Sequence, residues 1–217
     1  MAYNLNLSEI SVSEYREMLK GRNLLPGRRM LWRSLDENFA AIARQGIADA
    51  AELKKRLSTP AKLAALAKAT GVGEEYLVLL KREIGTFDQK PVPLADFPGV
   101  GEALLGELRL EGIRTSKDYF ESAHFGADEL SSLCDLVRIN GVGAVAARAL
   151  FEAGYRSAGD AAQADAGAML EAVSRVNEER RYYKAKLGEK DMQFCIDFAR
   201  LLVERGLNQV DGGYSWS

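Results

Sequence analysis

Apolar residues recur at helical spacing along almost the whole chain, and the alternating pattern of strands is scarce. The clearest segment is 190–206, KDMQFCIDFARLLVERG, where apolar positions follow the i, i+3, i+4, i+7 spacing of one helix face. The predicted buried face consists of Met192, Cys195, Ile196, Ala199, Leu202 and Val203. Gly206 follows these positions and is placed to end the helix. The pattern predicts an all-α protein.

An eight-residue pattern occurs three times between the predicted helices, as GIADAAEL from Gly46, GIRTSKDY from Gly112 and GYRSAGDA from Gly154. Each copy has a glycine, then a large apolar residue, then a capping side chain three positions after the glycine and an acid three positions further on. A glycine can end one helix in the left-handed conformation, and the capping side chain and acid can start the next. One supersecondary unit, a helix end followed by a capped helix start, is therefore predicted to occur three times.

A Gly-Val-Gly turn lies thirteen residues before the helix-ending glycine of the second and third copies. The paired glycines are Gly99 with Gly112 and Gly141 with Gly154. A third Gly-Val-Gly, at 71–73, follows the first copy instead of preceding it. The expected position before Gly46 holds Arg33, Ser34 and Leu35, so the first copy departs from the pattern.

The segment GTFDQKPVP, at 85–93, contains two prolines and no helical period, which is typical of a linker. It divides the chain into an N-terminal helical domain, 1–84, and a tandem domain, 94–206. The sequence DGGYSWS at the C-terminal end predicts a flexible tail at 207–217.

Two segments resemble the helix-hairpin-helix motif: Leu94-x-x-Phe97-x-Gly99-Val100-Gly101 followed by Leu104 and Leu108, and Ile139-x-Gly141-Val142-Gly143 followed by Ala146 and Leu150. Two such units in tandem resemble the fused double form of the motif. The wider arrangement is similar to an uncharacterised bacterial family built on these units. The resemblance implies hairpins whose glycines let the backbone approach a phosphate, which the N–H groups of the following helix then bind.

Members of the helix-hairpin-helix family that bind DNA usually carry lysine or arginine directly after the second hairpin glycine, and this sequence departs from that pattern. Gly101 is followed by Glu102, whose carboxylate would repel a phosphate from the 99–101 hairpin. Gly143 is followed by Ala144, which leaves Arg138 and Arg148 as the nearest cations in sequence. The 141–143 hairpin is therefore the better predicted phosphate site. The alternative is that both hairpins are only helix corners, in which the central valine packs into the core.

Charge is segregated along the chain although the formal net charge is only −2. Residues 16–33 hold six basic residues against one acid, and residues 175–190 hold six against three, so the remainder is strongly acidic. The predicted binding residues are Arg28, Arg29, Trp32 and Arg33 in the first stretch and Arg180, Arg181, Tyr182 and Lys184 in the second. Arginine beside an aromatic residue is typical of single-stranded nucleic-acid binding and of protein interfaces. A solvated surface with internal ion pairs is the third possibility.

The sequence predicts no catalytic residue, metal site or cofactor. His124 is the single histidine and has no set of acids, serines or cysteines at catalytic spacing. Cys134 and Cys195 lie far apart without a CxxC motif, which favours reduced, buried thiols. Neither a signal sequence nor an apolar run of membrane-spanning length is found, so we expect a cytoplasmic protein without a membrane partner.

We therefore expect a non-catalytic binding or scaffold module, with a protein partner or self-association as the favoured interpretation. The alternative is sequence-independent binding to the backbone of DNA or RNA through the 141–143 hairpin and the basic stretches. An enzyme with an unrecognised site is the third hypothesis.

Overall fold

The computed structural model describes residues 2–205, which are helical and contain no strand. The predicted all-α fold is therefore confirmed. Gly206 and the predicted tail at 207–217 lie outside the described residues. The chain divides into two compact units, Asn4–Asp88 and a second unit formed by residues 89–205 together with residues 2–3. The division falls within the predicted linker at 85–93, whose residues Thr86 and Phe87 are buried.

The first unit contains five α-helices and three 3-10 helices, Leu7–Glu9, Pro26–Trp32 and Gly85–Phe87, of which Pro26–Trp32 joins the first two α-helices. The helices are α1 (Val12–Gly21), α2 (Leu35–Ala43), α3 (Ala50–Arg56), α4 (Pro60–Thr70) and α5 (Glu74–Ile84). Its core is aromatic and aliphatic, with the Tyr15 ring at 5.7 Å from the Phe87 ring in an edge-on arrangement. Tyr15 lies near the start of the unit's sequence and Phe87 near its end, so this contact joins the first and last segments of the unit.

The second unit contains α6 (Glu102–Leu110), α7 (Ser116–Phe120), α8 (Glu129–Leu136), α9 (Ala144–Glu152), α10 (Ala158–Ala162), α11 (Ala166–Arg180) and α12 (Glu189–Glu204). The last helix packs mainly on α10 and α11. Met192, Ile196, Ala199 and Leu202 are buried there as predicted, and Cys195 is half-buried. Val203 is exposed, so its predicted burial is wrong. It lies in the last turn of α12, and periodicity identifies a helix face without showing how far neighbouring helices extend along it.

The three repeated turns are confirmed in detail. Gly46, Gly112 and Gly154 all have positive φ, between +75° and +99°. The side chains of Asp49, Thr115 and Ser157 each accept a hydrogen bond from the backbone N–H three residues later. In the first copy, where the Gly-Val-Gly is missing, Ser34 adopts the left-handed conformation at φ +47°. Relative to the helix-ending glycine, Ser34 lies one position later than Gly99 and Gly141, so the first copy turns with a serine at a shifted position.

A short backbone pairing joins two of the repeated turns to the rest of their units. The N–H of Ala50 donates to Ile10 O at 2.8 Å, and the N–H of Ser116 donates to Val92 O at 2.7 Å. In the third copy the corresponding N–H, that of Ala158, donates to the carboxylate of Asp135 at 2.7 Å. In this copy a buried side chain accepts the hydrogen bond that a backbone carbonyl accepts in the other two. Because the Asp135 carboxylate is charged, it requires a nearby positive charge to balance it.

Candidate binding surfaces

The 141–143 hairpin has the predicted geometry of a helix corner. Gly141 has φ +89° and is exposed, and Gly143 begins α9 without a side-chain cap. Val142 is buried, and its N–H donates to Ile139 O at 3.0 Å. The amide groups at the start of α9 are the feature that binds an anion in hairpins of this type. How well these amide groups could hold a phosphate then depends on the cations near the hairpin.

Arg138 is a structural residue of the core and does not reach the surface of the hairpin. It is only 1% exposed, and its Nη1 donates to Asp135 Oδ1 in a short ion pair. Its Nε donates to Tyr3 O at 3.0 Å, and its Cζ lies 4.2 Å from the centre of the Phe120 ring. This burial corrects the sequence prediction, because a fully enclosed guanidinium has no access to a phosphate at the hairpin. Its charge balances the Asp135 carboxylate that holds Ala158.

Arg148 extends to the other hairpin. It is 5% exposed, its Nη2 donates to Glu129 Oε1 at 2.7 Å, and its guanidinium lies against Gly99. A Cβ atom at Gly99 would lie 3.1 Å from Nη2, closer than nearly all Cβ contacts, so any side chain here would force the guanidinium to shift. The Nε of Arg148 is buried without a hydrogen-bond partner among the described residues. The sequence prediction placed Arg148 at the 141–143 hairpin because the two are close in the chain, but its guanidinium lies at the 99–101 hairpin.

The 99–101 hairpin has an acidic opening, as the sequence predicted. Gly99 has φ +86°, and Gly101 is the N-cap of α6, where no side chain accepts a hydrogen bond from the first helix amides. Glu102, the first residue of α6, is exposed, and its carboxylate lies 3.7 Å from Arg109 Nη1. The amide groups at the start of α6 and the buried Arg148 would attract an anion at this hairpin. The exposed carboxylate of Glu102 would repel the same anion.

The 3-10 helix Pro26–Trp32 forms an exposed surface that we call the arginine-tryptophan surface, defined by the side chains of Leu25, Arg29, Trp32 and Arg33. Leu25 is 46% exposed and Trp32 is 41% exposed, whereas Leu31 between them is buried and anchors the helix. The indole Nε1 of Trp32 donates to Leu19 O at 3.0 Å, which fixes the ring. Trp32 also borders an open cavity of about 500 Å³, whose other lining residues are Lys20, Ser34, Leu35, Asp36 and Glu37.

Arg28, which the sequence groups with these residues, faces inward. Its Nη1 donates at 2.6 Å to the carboxylate of Glu83, a residue that is only 3% exposed. Arg22 pairs with the same carboxylate at 3.3 Å. Arg28 is therefore an internal counter-charge, which corrects its predicted role in partner binding, and changing it would destabilise the first unit.

The second basic stretch is partly neutralised by one acid. Glu152 accepts from Arg180 Nε at 3.1 Å and from the Tyr182 hydroxyl at 2.7 Å. Partial burial and this hydrogen bond to a carboxylate raise the pKa of Tyr182 above its ordinary value. Arg181 and Lys184 are exposed and form no ion pair within residues 2–205. Two of the four predicted residues thus remain accessible as free cations.

A protein-family model described as a SAM-like helix-hairpin-helix tandem matches residues 134–180, which run from α8 through the 141–143 hairpin to the end of α11. A tandem helix-hairpin-helix domain is present in this chain. The 99–101 hairpin precedes the matched segment, although its geometry repeats that of the 141–143 hairpin. No solved structure matches the chain.

Other reactive groups are dispersed or buried. His124 Nε2 lies 2.7 Å from Glu111 Oε2 on the exposed surface. Burial raises the pKa of the Cys134 thiol far above its ordinary value and that of Cys195 to about 11, so both thiols remain protonated near neutral pH. Within residues 2–205, no group of three or more His, Cys, Asp or Glu side chains is placed to hold a metal ion, and no helix is long and apolar enough to cross a membrane.

Proposed function

We propose that this protein is a non-catalytic binding module whose partner is a protein, contacted through the arginine-tryptophan surface. The observation that supports this proposal is the exposure of Leu25, Arg29, Trp32 and Arg33 on a short helix that buried contacts hold in place. Tryptophan and arginine are the residues most enriched at the energetic centres of protein interfaces. A ring already fixed by a hydrogen bond loses little conformational entropy on binding.

The hairpins give less support to a nucleic-acid partner. Affinity for nucleic acid comes largely from cations that neutralise phosphates. The two arginines nearest the 141–143 hairpin in sequence are enclosed and paired with Asp135 and Glu129, and the 99–101 hairpin opens beside Glu102. A phosphate at either hairpin would depend mainly on backbone amides. Both hairpins therefore fit the role of helix corners that give the tandem domain its shape.

Site-specific photocrosslinking tests the proposal in the cells that naturally make the protein. A photoreactive phenylalanine derivative placed at Arg33 is expected to capture one protein at near-stoichiometric yield. The same derivative at Arg175, an exposed arginine of α11, serves as the control and is expected to capture none. Equal capture at both positions, or capture of nucleic acid at Arg33, would contradict the proposal.

Once that partner is purified, Trp32→Ala is expected to weaken its binding by about 30-fold or more, the effect of removing a central interface tryptophan. Isothermal titration calorimetry measures the loss. Leu110→Ala is the matched control, because Leu110 is a strongly exposed apolar residue of the second unit. Unchanged affinity in the Trp32→Ala protein would place the interface elsewhere.

A second candidate function, binding of a nucleic-acid backbone, has one specific observation in its favour. The buried Nε of Arg148 lies beside Gly99, near the start of α6, and has no hydrogen-bond partner among residues 2–205. A phosphate at the 99–101 hairpin could satisfy this donor if Glu129 released the guanidinium. This binding would be sequence-independent, and its strength would fall steeply with salt.

A further inference from the structure

A second cavity of the first unit, of about 570 Å³, lies between α4 and α5 beside the 3-10 helix Pro26–Trp32. Its volume is within the range of pockets that hold small ligands or a few side chains. The lining residues are Arg28, Pro60, Leu63, Glu74, Val78, Lys81, Arg82 and Gly85. None of them belongs to the arginine-tryptophan surface, so the cavity is a separate site on the same unit.

The floor of this cavity is aliphatic. Leu63 is buried, Val78 is half-buried, and Pro60 begins α4 beside them. Single-stranded nucleic acids bind proteins by stacking their bases on aromatic rings, and the residues that line this cavity include none. An aliphatic floor instead favours a branched apolar side chain such as leucine.

The charges of the cavity are ordered along α5. Lys81 and Arg82 lie near its C-terminal end and form no ion pair with an acid in the described chain, although Lys81 Nζ donates to Ser58 O at 2.7 Å. Glu74 lies seven residues earlier, and at a rise of 1.5 Å per residue this places it about 10 Å from Lys81 along the axis. Arg28 is already paired with Glu83. The cavity therefore has a positive end, an apolar floor and a negative end.

We propose that this cavity binds an extended peptide segment with an acidic residue, an apolar residue and a basic residue in that spatial order. The acid would pair with Lys81 and Arg82, the apolar side chain would cover Leu63 and Val78, and the base would pair with Glu74. In an extended chain, side chains on one face recur every second residue, so an acid, an apolar residue and a base that all face the cavity span about 13 Å of backbone. The long side chains of glutamate and lysine can lean inward to match the spacing of about 10 Å along α5. The complementary segment is therefore Glu-x-Leu-x-Lys or its reverse, and this partner chemistry extends beyond the proposed function.

The test is an NMR titration of the full chain with the peptide acetyl-Ser-Glu-Ser-Leu-Ser-Lys-Ser-amide, followed by ¹⁵N chemical shifts. The expected result is saturable shifts confined to the lining residues of α4 and α5. Arg82→Glu should weaken binding by about tenfold, because it replaces an attraction by a repulsion at the rim. Lys68→Glu is the matched control: Lys68 is an exposed residue of α4 outside the cavity, and its reversal should leave the affinity within about twofold.

Two further measurements identify the occupant. A peptide with serine in place of leucine should bind at least about fivefold more weakly, since it loses the apolar contact. Val78→Glu should have a similar effect on the original peptide, and circular dichroism checks that each variant is folded. The proposal is overturned if the peptide causes no saturable shifts, if Arg82→Glu and Lys68→Glu weaken it equally, or if a dT10 oligonucleotide shifts the same residues in its place. None of these outcomes bears on crosslinking at Arg33, so the two proposals fail independently.

Discussion

Replacing Arg138 by alanine is expected to lower the free energy of unfolding of the second unit by about 3–5 kcal/mol, the cost of removing one partner from a buried ion pair. The remaining Asp135 carboxylate would be buried without its counter-charge while still holding the N–H of Ala158. The same change removes the hydrogen bond to Tyr3 O, which joins the N-terminal residues to this unit. Because both losses fall within one buried cluster, water cannot compensate for either of them.

Urea unfolding followed by far-ultraviolet circular dichroism measures the effect, and hydrogen exchange at Ala158 assigns it to the third repeat. Arg175→Ala is the control, because Arg175 also pairs with an acid on its own helix, Glu171, but both side chains are exposed. Its loss should cost about 0.5 kcal/mol or less. If Arg138→Ala were no more destabilising than Arg175→Ala, the structural role of Arg138 would be wrong.

Gly99→Ala is expected to destabilise the second unit by about 2–5 kcal/mol, more than Gly141→Ala at the equivalent position of the other hairpin. Both glycines have φ near +87°, where a Cβ atom costs about 1–2 kcal/mol. At Gly99 the new atom would also meet Arg148 Nη2 at 3.1 Å, whereas at Gly141 no neighbouring atom from residues 2–205 lies within 4 Å. Displacing a buried guanidinium adds an overpacking cost of about 1–3 kcal/mol.

Thermal melting of the two glycine variants side by side gives the comparison. The backbone cost is common to both, so the difference between their free energies of unfolding reports the contact with Arg148. In a protein that already carries Arg148→Ala, adding Gly99→Ala should cost little more than the backbone term, because no guanidinium is left for the new Cβ atom to displace. Equal destabilisation by Gly99→Ala and Gly141→Ala would show that Arg148 does not lie against Gly99.

The features that the sequence predicts correctly depend on residues close together in the chain. The helix-ending glycines, the caps at Asp49, Thr115 and Ser157, and the buried valine of the 141–143 hairpin all follow from spacings of a few residues. Local backbone preference and capping decide these positions almost without regard to the rest of the fold. The all-α fold and the repeated turns were therefore predictable.

The contacts that the long basic side chains make could not be predicted from short spacings in the sequence. Arg138 bonds to Tyr3, which lies 135 residues earlier, and Arg28 bonds to Glu83, which lies 55 residues later. Arg148 follows one hairpin in sequence but packs against the other. Tertiary packing alone determines these partners. A signal was present at Asp135, because it is the one acid in the otherwise apolar run 133–137, and a carboxylate buried in such a run requires a nearby cation.

The measurement that most directly tests the central claim, that the hairpins are helix corners and the partner is a protein, is fluorescence anisotropy with labelled single- and double-stranded DNA and RNA. Titrations at about 50 and 200 mM salt span the range over which several phosphate contacts lose orders of magnitude in affinity. If the hairpins are helix corners, no binding is expected at micromolar protein concentrations under either condition. Micromolar or tighter binding at the lower salt that is lost at the higher salt would contradict it and establish the phosphate backbone as the ligand.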